Sequence, residues 1–249
     1  MTLGFRRFKF LLKKWPQSAL DIQAYMDPTF ATIAAKYDFM TRVLSSGQEQ
    51  RWKAKAIRLV PEVGVRRRIL DLASGTGDFP LHLRRAGCNG LIIGLDRNSK
   101  MLELSRWKCA GKPQIRFVCG DLMEIPFKAH SFDVVTMGYG LRYVADIRHT
   151  LKEVYLLLKR GGIFVCLDFG LPRNQFYRYL CFAYLILLGT LWGWVLHRKG
   201  NTYWHIVESL MAYPGQQAVS GWLEETGFDK IQLHEQLGGI IVILSGIRR

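Results

Sequence analysis

Residues 70–79 read Leu70-Asp71-Leu72-Ala73-Ser74-Gly75-Thr76-Gly77-Asp78-Phe79, and this stretch decides the fold. An apolar strand ends at Leu72, a glycine-rich turn follows it, and a helix begins near Asp78. Glycine lets the backbone approach a ligand closely because it has no Cβ, and the first turn of a helix offers free N–H groups to an anionic group. The stretch therefore predicts a ligand site at the carboxyl end of a first strand.

The spacing of this turn favours S-adenosylmethionine over a dinucleotide. A dinucleotide fingerprint needs a third glycine where this chain has Pro80. An acid four residues before the first glycine, Asp71, is also foreign to that fingerprint. The same acid suits S-adenosylmethionine, because the amino-acid part of this cofactor is a zwitterion and a carboxylate can hold its ammonium group, directly or through water. We therefore expect Asp71, Gly75 and Gly77 to bind this cofactor.

Two more acids follow the next two predicted strands. Asp96 ends the second strand, where its carboxylate can accept both ribose hydroxyls, and Asp121 follows the third, where it can accept from the adenine amino group. Leu122 and Met101 can give the adenine ring flat apolar contacts. A single acid of this kind is more often a surface or capping residue, but three at successive strand ends are rarely a coincidence. These positions extend the predicted cofactor site along one edge of the sheet.

Strands and helices alternate from residue 68 onward, which is the pattern of βαβ units and of a parallel sheet covered on both faces. A helix near 216–226 and two strands at about 229–236 and 239–247 follow, and they predict a hairpin that adds an antiparallel edge strand. The first five predicted strands lie at 68–72, 90–95, 115–119, 132–137 and 162–168, and the helices between them at about 78–86, 99–109 and 146–158. The predicted fold class is α/β and Rossmann-like, with a mostly parallel seven-stranded sheet and helices on both faces.

The net charge of +15, with 35 Lys and Arg against 20 Asp and Glu in 249 residues, bears on the partners of the chain. Residues 1–20 and 169–207 contain basic residues and no acid, and both are rich in apolar side chains. Cations beside apolar runs favour the anionic surface of a membrane over nucleic acid, whose binding proteins interleave basic with polar residues. The five cysteines show no Cys-x-x-Cys spacing, so we expect buried thiols and no metal site.

Three segments outside the predicted sheet carry further expectations. Residues 5–15 predict an amphipathic helix with its aromatic residues on one face, which either packs on its own domain or lies in a membrane interface. The eighteen residues Tyr179–Leu196 carry no charge and fit a membrane-dipping or lid helix, a core helix or a short span. Residues 29–60 predict two helices separated by the turn Ser45-Ser46-Gly47.

The sequence resembles the UbiE-type ubiquinone/menaquinone biosynthesis C-methyltransferases over nearly its whole length. The two most particular matches are Ala34-Ala35-Lys36-Tyr37-Asp38-Phe39-Met40 and, after the fourth strand, Gly140-Leu141-Arg142. The other matches, besides residues 70–79, are Ser46-Gly47, Arg51-Trp52-Lys53, Ile125-Pro126-Phe127, Ser131-Phe132-Asp133, Leu158-Lys159-Arg160-Gly161-Gly162, Tyr203, Glu208-Ser209 and Gly227-Phe228. The resemblance implies a class I S-adenosylmethionine-dependent methyltransferase that methylates a ring carbon of a prenylated quinol.

The resemblance also implies roles for single residues. Three features depart from the family near the expected substrate: Tyr143 stands where asparagine is usual, Asp168-Phe169-Gly170 replaces Glu-Phe-Ser, and the apolar run 179–196 is more hydrophobic than expected for the family. These departures bear on which substrate is bound rather than on the cofactor. The resemblance assigns cofactor contacts to Thr76, Asp96, Asp121 and Leu122, and a position near the reacting methyl group to Gly138.

Four side chains are candidates for the substrate side. A ring carbon is nucleophilic only when the adjacent hydroxyl is at least partly ionised, so the enzyme must stabilise a phenolate. Arg142 is the candidate for this task because it stays charged at any relevant pH, although a salt bridge to Asp146 or Asp168 would equally account for it. The candidate for proton transfer is Tyr143, and the candidates for substrate contact are Tyr37 and Tyr203.

The chain is predicted to have four segments. Residues 1–60 form N-terminal helices that face the membrane and cap the substrate, and residues 61–172 form the cofactor-binding core. Residues 173–214 form an apolar lid or membrane-proximal insertion, and residues 215–249 form the C-terminal helix and closing strands. The expected location is the cytoplasm with peripheral attachment to the inner membrane, on the matrix side in a mitochondrion. The alternative functions are methylation of another lipid-like acceptor (a phospholipid amine or sterol), a non-catalytic membrane-associated subunit, and an RNA methyltransferase suggested by charge alone. Whether the chain forms a homo-oligomer is left open.

Overall fold

Seven strands of the described residues form one sheet. The computed structural model describes Trp15, Pro16 and residues 18–60 and 67–249. The strands are β1 (Arg68–Leu72), β2 (Leu91–Asp96), β3 (Ile115–Cys119), β4 (Phe132–Gly138), β5 (Leu158–Phe169), β6 (Phe228–Gln236) and β7 (Ile241–Arg248). They lie in the order β3-β2-β1-β4-β5-β7-β6, and the neighbours from β3 to β5 are parallel. The chain order reverses beside β1, and a sheet of this kind has its ligand crevice at that point, outside the carboxyl ends of the strands.

Helices cover both faces of this sheet. On one face the core is shared with helices α3, α4, α5, α7 and α8, and on the other with α6 and α9. Helices α1 and α2 precede them in the chain, and α1 covers part of the crevice. The helices are α1 (Ala19–Ile33), α2 (Tyr37–Leu44), α3 (Glu49–Arg58), α4 (Asp78–Arg85), α5 (Ser99–Lys108), α6 (Ile147–Leu157), α7 (Gln175–His197), α8 (His205–Ala212) and α9 (Gln216–Thr226).

Successive residues of the central strands enter two separate cores. Ile69 of β1 and Val134 of β4 pack on the α3 side, whereas the next residues in each strand, Leu70 and Val135, pack on the α6 side. All four side chains are fully buried. Side chains alternate across a strand, so a strand buried on both faces reads as a continuous apolar run. This is why the sequence shows these strands so clearly.

The predicted α/β fold is confirmed. The five predicted parallel strands are present, and α9, β6 and β7 follow them as expected. β7 pairs antiparallel with both β5 and β6, so the edge strand β6 joins the sheet through an antiparallel pair. The inner position suits β7 because its first six residues are all buried, whereas β6 is mostly half-buried or exposed.

The N-terminal helices differ from the prediction. Residues 29–60, predicted as two helices, contribute to three, because α1 begins at Ala19 and continues through Pro28 to Ile33. A proline inside a helical pattern normally ends or kinks the helix, so the sequence did not indicate a helix that crosses this position. The predicted amphipathic helix 5–15 lies outside the described residues apart from Trp15, whose ring lies 6.0 Å from those of Tyr25 and Tyr143.

The uncharged run of residues 179–196 lies within α7. This helix is long and apolar enough to cross a membrane by length and composition alone. One of its sides is buried against the rest of the protein, and Phe182 and Leu185 belong to the core there. The following helix, α8, was not predicted.

Candidate active site

A cavity of about 120 Å³ lies at the carboxyl ends of the parallel strands. We call it the acid-lined cavity because Asp96 and Asp121 line it at the ends of β2 and β3. Five of the residues predicted to bind the cofactor line this cavity, together with Met101, whose contact with the adenine ring stays a prediction. The five are Gly75, Asp96, Asp121, Leu122 and Gly138.

The glycine-rich turn fixes the orientation of Asp96. Gly75 has a φ of 51°, and its N–H donates to Asp96 Oδ2 at 2.8 Å. The N–H of Asn98 donates to the other oxygen, Oδ1, also at 2.8 Å. An ionised carboxylate has about four acceptor positions, so both oxygens keep capacity for the two hydroxyls of a ribose. The turn therefore holds the carboxylate ready for a second pair of donors.

Gly77 is needed for the conformation and packing of the turn. It does not line any of the cavities of the site, and its φ of 77° lies in the left-handed region at the start of α4. A Cβ at this position would lie 2.8 Å from the ring of Phe117. The backbone here thus needs glycine for close packing, and the direct cofactor contact predicted for Gly77 finds no cavity to support it.

A smaller cavity of about 40 Å³, the loop cavity, lies behind the same turn. Asp71 lines it, is almost fully buried, and accepts a hydrogen bond of 2.6 Å from Thr136 Oγ1. Burial raises the pKa of Asp71 to about 8. Ser74 Oγ is buried beside it with no hydrogen-bond partner among the described residues. This cavity therefore offers an acid and a free hydroxyl to a small polar group.

An ionic cluster surrounds the loop cavity. Asp78 pairs with Lys53 and, at 3.3 Å, with Lys108. Lys108 also pairs with Asp38 at 2.5 Å, and Asp38 accepts a hydrogen bond of 2.6 Å from Thr76 Oγ1. Burial alone would raise the pKa of Asp78, but the two ammonium groups hold it down at about 2. The cluster joins α2, α3, α4 and α5 around the glycine-rich turn.

Sequence reasoning missed this cluster. The segments that hold Asp38 and Lys53 indicated the family, but neither residue was given a role. The spacing of the cluster gives no signal, because its members come from four helices and a turn. Thr76, predicted to contact the cofactor, lines the loop cavity and is tied to Asp38.

Helix α1 covers the acid-lined cavity. Gln23 donates to Asp121 Oδ2 at 2.9 Å, and Arg97 pairs with Asp27 at 3.2 Å and with Asp121 at 3.3 Å. The other oxygen of Asp121 accepts from the N–H of Met123 at 2.9 Å. Asp121 is thus as much an anchor for α1 as a candidate partner of a ligand, which its place in the sequence did not show.

A third cavity, of about 330 Å³, lies between α1 to α3, α7 and α8. We call it the apolar cavity because aromatic and aliphatic side chains make up most of its wall. Four side chains line both this cavity and the acid-lined cavity, so the two meet at a shared wall. These are Phe30, Tyr37, Tyr139 and Tyr143. A ligand in one cavity therefore lies next to a ligand in the other.

Arg142 lies at the apolar cavity but is engaged by the protein. Its Nε donates to Asp168 Oδ1 at 2.5 Å, and one terminal nitrogen donates to Ser209 Oγ at 2.8 Å. Burial alone would lower the pKa of this guanidinium, and the carboxylate of Asp168 raises it instead. Of the two partners that the sequence left open, Asp146 caps α6 and Asp168 forms the salt bridge. The role of Arg142 toward a phenolate stays a prediction.

The predicted tyrosines all lie at the apolar cavity. Tyr37 and Tyr143 belong to the shared wall, and Tyr203 lines the cavity with its hydroxyl 2.9 Å from His197 Nε2. Burial raises the pKa of each of these phenols, so none of them is ionised near neutral pH. The structure brings these three tyrosines together at one cavity, while their contact with a substrate and their chemical roles stay predictions.

Two polar groups of this cavity were not singled out as site residues. Tyr139 has a φ of 58°, a strained value for a residue with a side chain, and its hydroxyl is buried without a partner among the described residues. Nδ1 of His205 lies 3.0 Å from the carbonyl of Thr202. Because a carbonyl only accepts, Nδ1 carries the proton and Nε2 of the neutral ring is an acceptor. Neither feature has a signal in the sequence.

Metal ligands do not gather in the part of the chain that the structure describes, where no group of three His, Cys, Asp or Glu side chains is placed to hold an ion. Of the five cysteines, Cys88, Cys109 and Cys166 are buried, Cys181 is half-buried and Cys119 is exposed.

Comparison with known proteins agrees with this geometry. The profile of the ubiE/COQ5 methyltransferase family matches residues 20–248. The chain belongs to this family. It is 34% identical over 225 residues to the ubiquinone/menaquinone biosynthesis C-methyltransferase UbiE of Stutzerimonas stutzeri, covering 88% of this chain and 87% of that protein. It is 32% identical over 222 residues to the demethylmenaquinone methyltransferase of Staphylococcus aureus, with 88% and 91% covered.

Solved structures show the fold that this family member shares. An S-adenosylmethionine-dependent methyltransferase from Thermotoga maritima matches with a TM-score of 0.60 and 18% identity, over 90% of this chain and 100% of that one. A phosphoethanolamine N-methyltransferase from Haemonchus contortus, in complex with S-adenosylhomocysteine, matches with a TM-score of 0.60 and 11% identity, over 80% and 52%. Membership of the ubiE/COQ5 family identifies the chain as an S-adenosylmethionine-dependent methyltransferase, and the solved structures show that it has the class I fold.

The residues of this methyltransferase fit S-adenosylmethionine. The methionine part of the cofactor carries both charges, and the loop cavity is lined by the carboxyl of Asp71 and the ammonium of Lys53, with the free hydroxyl of Ser74 beside them. At Gly75 no heavy atom lies within 4 Å of where a Cβ would be, so the turn leaves open space. Asp96 lines the adjoining acid-lined cavity, and its contact with the ribose stays a prediction. The predicted cofactor is thus supported by charge, by space and by an unpaired donor.

Proposed function

We propose that this methyltransferase transfers a methyl group from S-adenosylmethionine to a ring carbon of a prenylated quinol, of the demethylmenaquinol or ubiquinol-pathway type. The observation that carries the proposal is the wall of four aromatic side chains shared by the acid-lined and apolar cavities. A polar cofactor on one side then lies beside a flat ring with an apolar tail on the other. The names of the relatives from S. stutzeri and S. aureus point to the same class of substrate.

The residues around the loop cavity and the acid-lined cavity bind and orient the cofactor. Asp71 would hold the ammonium group, Lys53 would face the carboxylate from its pair with Asp78, and Asp96 would accept the ribose hydroxyls. The protein already fixes each of these side chains. Bound S-adenosylmethionine supplies an electrophilic methyl group on a positively charged sulfur. Gly138 lines the acid-lined and loop cavities, and a Cβ there would lie 2.6 Å from the ring of Phe79. Only glycine therefore lets the ring of Phe79 pack this closely against the backbone where these two cavities adjoin.

The substrate side handles the oxygen beside the reacting carbon. The free hydroxyl of Tyr139 donates a hydrogen bond to this oxygen, which stabilises the phenolate once the proton of the oxygen has passed to solvent. Nε2 of His205 accepts from the second hydroxyl, because burial lowers the pKa of this ring to about 4 and keeps it neutral. Arg142 is held in its salt bridge with Asp168, so it acts on the substrate only indirectly. It does so through the aromatic ring of Tyr143, which lies 4.7 Å from the guanidinium carbon.

The four-segment division of the chain stands as part of this proposal. The described part of residues 1–60 is consistent with a capping role over the substrate. Helix α1 covers the acid-lined cavity, and helices α1 to α3 all line the apolar cavity. The segment 173–214 supplies α7 and α8, which form the opposite wall of the apolar cavity. We place the enzyme in the cytoplasm, peripherally attached to the inner membrane and on the matrix side in a mitochondrion, with the anionic membrane surface as its partner.

The rival functions have less support. A phospholipid amine would leave the tyrosine-rich wall without a ring to bind, and a sterol carries its hydroxyl on a saturated ring rather than on a flat aromatic one. A non-catalytic subunit would not need Asp71, Asp96 and the open Gly75 turn that the chain keeps. An RNA methyltransferase is suggested by net charge alone, and its substrate would not fill a 330 Å³ cavity of apolar side chains.

The test is direct. Purified protein is incubated with S-adenosylmethionine and a short-chain demethylmenaquinol, and the quinone fraction is analysed by mass spectrometry. We expect a product heavier by one methylene unit, with the new methyl group on the ring carbon by nuclear magnetic resonance. Asp96→Ala is the control, because it removes the acceptor for two hydroxyl groups and should abolish the product at the same cofactor concentration. Methylation of an oxygen or of an amine acceptor instead would contradict the proposal.

A further inference from the structure

Helix α7 has an exposed apolar face that nothing among the described residues covers. Its side chains recur every three or four residues, so they lie on one side of the helix. They are between 42% and 71% exposed. We call them the α7 stripe: Phe176, Leu180, Tyr184, Leu187, Leu191, Trp194 and Val195.

The opposite side of α7 is packed closely against the protein. Phe182, Leu185 and Ile186 are buried there. A Cβ at Gly193 would lie 2.6 Å from the carbonyl oxygen of Lys199, so only glycine allows the backbones to approach at this point. Packing along one whole side is the geometry of a helix that lies in a surface rather than one that crosses a bilayer surrounded by lipid.

Cations flank the stripe at both ends. Arg173 precedes α7 and is exposed, and Arg198 and Lys199 follow it and are also exposed. Residues 169–207 contain no acid. The helix is about 34 Å long at the rise of a regular helix, so the two groups of positive charge lie at opposite ends of a long apolar face. This combination matches an anionic bilayer, whose headgroups attract the cations and whose acyl region takes the apolar side chains.

The stripe continues into the substrate site. Leu180 and Tyr184 belong to the stripe and also line the apolar cavity. The neighbouring Tyr177 and Cys181 line it as well. The mouth of the apolar cavity therefore opens at the same surface that the stripe presents.

We infer that the α7 stripe lies in the headgroup region of an anionic bilayer and that the prenylated substrate enters the apolar cavity from the bilayer between Leu180 and Tyr184. The inference rests on the proposed function, since it assumes an acceptor with a prenyl tail. A second copy of the chain is a poorer occupant of the stripe. Antiparallel pairing would place Arg173 of one copy beside Arg198 of the other, and parallel pairing would place identical cations together.

The test uses the full-length protein and vesicles of phosphatidylglycerol mixed with phosphatidylcholine. The test variant is the double substitution Leu187→Glu with Leu191→Glu, two exposed residues that do not line the apolar cavity. The matched control is Trp107→Glu with Leu156→Glu, which makes the same kind of change at exposed apolar residues on α5 and α6. We expect the wild type and the control to sediment with the vesicles and the test variant to bind at least tenfold more weakly. High salt should weaken the binding of the wild type only in part, because the apolar contacts are not screened.

Activity separates this inference from the proposed function. With a short-chain soluble quinol, the wild type and both double variants should turn over alike. With a long-chain quinol embedded in the vesicles, only the stripe variant should lose turnover, by about the factor by which its binding falls. No methylation of either quinol by the wild type would overturn the proposed function. Equal vesicle binding by all three proteins would overturn the inference alone, as would a stable dimer by sedimentation equilibrium that the stripe variant abolishes.

Discussion

Asp71 is a carboxyl group held away from water at a point where a cation is expected to bind. Burial raises its pKa to about 8, so at neutral pH the ligand-free side chain is mostly protonated. An ammonium group beside it favours the ionised form, and binding must then release the proton. Below pH 8 this release opposes binding, by up to about tenfold in affinity per pH unit.

We therefore predict that the affinity for S-adenosylmethionine rises with pH up to about 8 and then levels off. Calorimetry at pH 7 in buffers of different ionisation enthalpy should show close to one proton released per cofactor bound. Asp71→Asn is the control, since an amide has no proton to release. A wild-type protein that releases no proton would show that Asp71 does not meet the ammonium group.

Tyr139 gives a second prediction at the scale of a residue. Its buried hydroxyl has no partner among the described residues, and an unsatisfied polar group costs stability. Tyr139→Phe should raise the free energy of unfolding by about 1 kcal/mol, because it removes this cost. It should also lower kcat/KM for the quinol by roughly tenfold while leaving cofactor affinity unchanged, because the hydrogen bond to the substrate oxygen is lost.

Chemical unfolding and steady-state kinetics check this pair of effects together. The matched control is Tyr155→Phe on α6, at the other face of the sheet, which should not alter kinetics. A variant that is more stable and as active as the wild type would mean that the hydroxyl of Tyr139 does not touch the substrate.

At the scale of elements, the closeness of α7 to the protein depends on one glycine. Gly193→Ala would bring a methyl group to 2.6 Å from the Lys199 carbonyl oxygen and 3.0 Å from that of Gly200, both of them backbone atoms. We expect this to lower the free energy of unfolding by about 1–3 kcal/mol, the usual cost of overpacking.

Gly221 in α9 is the natural control for this substitution. No heavy atom lies within 4 Å of its Cβ position, and its backbone is helical. Gly221→Ala should therefore raise the free energy of unfolding by roughly 0.5–1 kcal/mol, because alanine loses less conformational freedom in a helix. Urea titration of both variants measures the contrast, and equal effects would contradict the close packing of α7.

The elements also show what could be predicted from the sequence. The central strands could be predicted because they are apolar on both faces. The grouping of the acids at their carboxyl ends could be predicted because parallel strands bring those ends together. Helix α1 could not be predicted, because a proline such as Pro28 normally indicates the end of a helix. The ionic cluster around Asp78 could not either, because its members are far apart in sequence. For Arg142 the sequence offered two acids, and only the fold shows that Asp146 is used as a helix cap.

At the scale of the whole molecule, the cofactor site joins the N-terminal helices to the sheet. Helix α1 is anchored by its buried side chains Ile22 and Met26 and by the hydrogen bond of Tyr25 to Glu208. Over the acid-lined cavity it is held by Gln23 and by the pairs that Arg97 forms, which are partly exposed to water. Such pairs are worth little alone, about 0–1 kcal/mol each. Cofactor binding should therefore reduce the mobility of α1 more than that of other elements. Helix α9 packs on the opposite face of the sheet, so its mobility should not change.

We predict that S-adenosylmethionine slows amide hydrogen exchange in α1, α2 and α3 and leaves α9 and β6 unchanged. Mass spectrometry of peptides from the exchanged protein, with and without cofactor, measures this directly. Arg97→Ala should enlarge the difference in α1, because the cofactor-free helix is then held less firmly. Uniform protection across the molecule would show that α1 is not a separately ordered cover.

The position of β7 has a consequence for how the protein is made. β5, a strand of twelve residues, pairs on one side with β4 and on the other with β7, which the ribosome produces only after α7, α8, α9 and β6. Until β7 is synthesised, the nascent chain carries a long apolar strand with one row of unpaired backbone groups, next to the uncovered α7. Exposed strand edges of this kind promote aggregation. The growing polypeptide is thus most open to aggregation for as long as this gap in the sheet lasts.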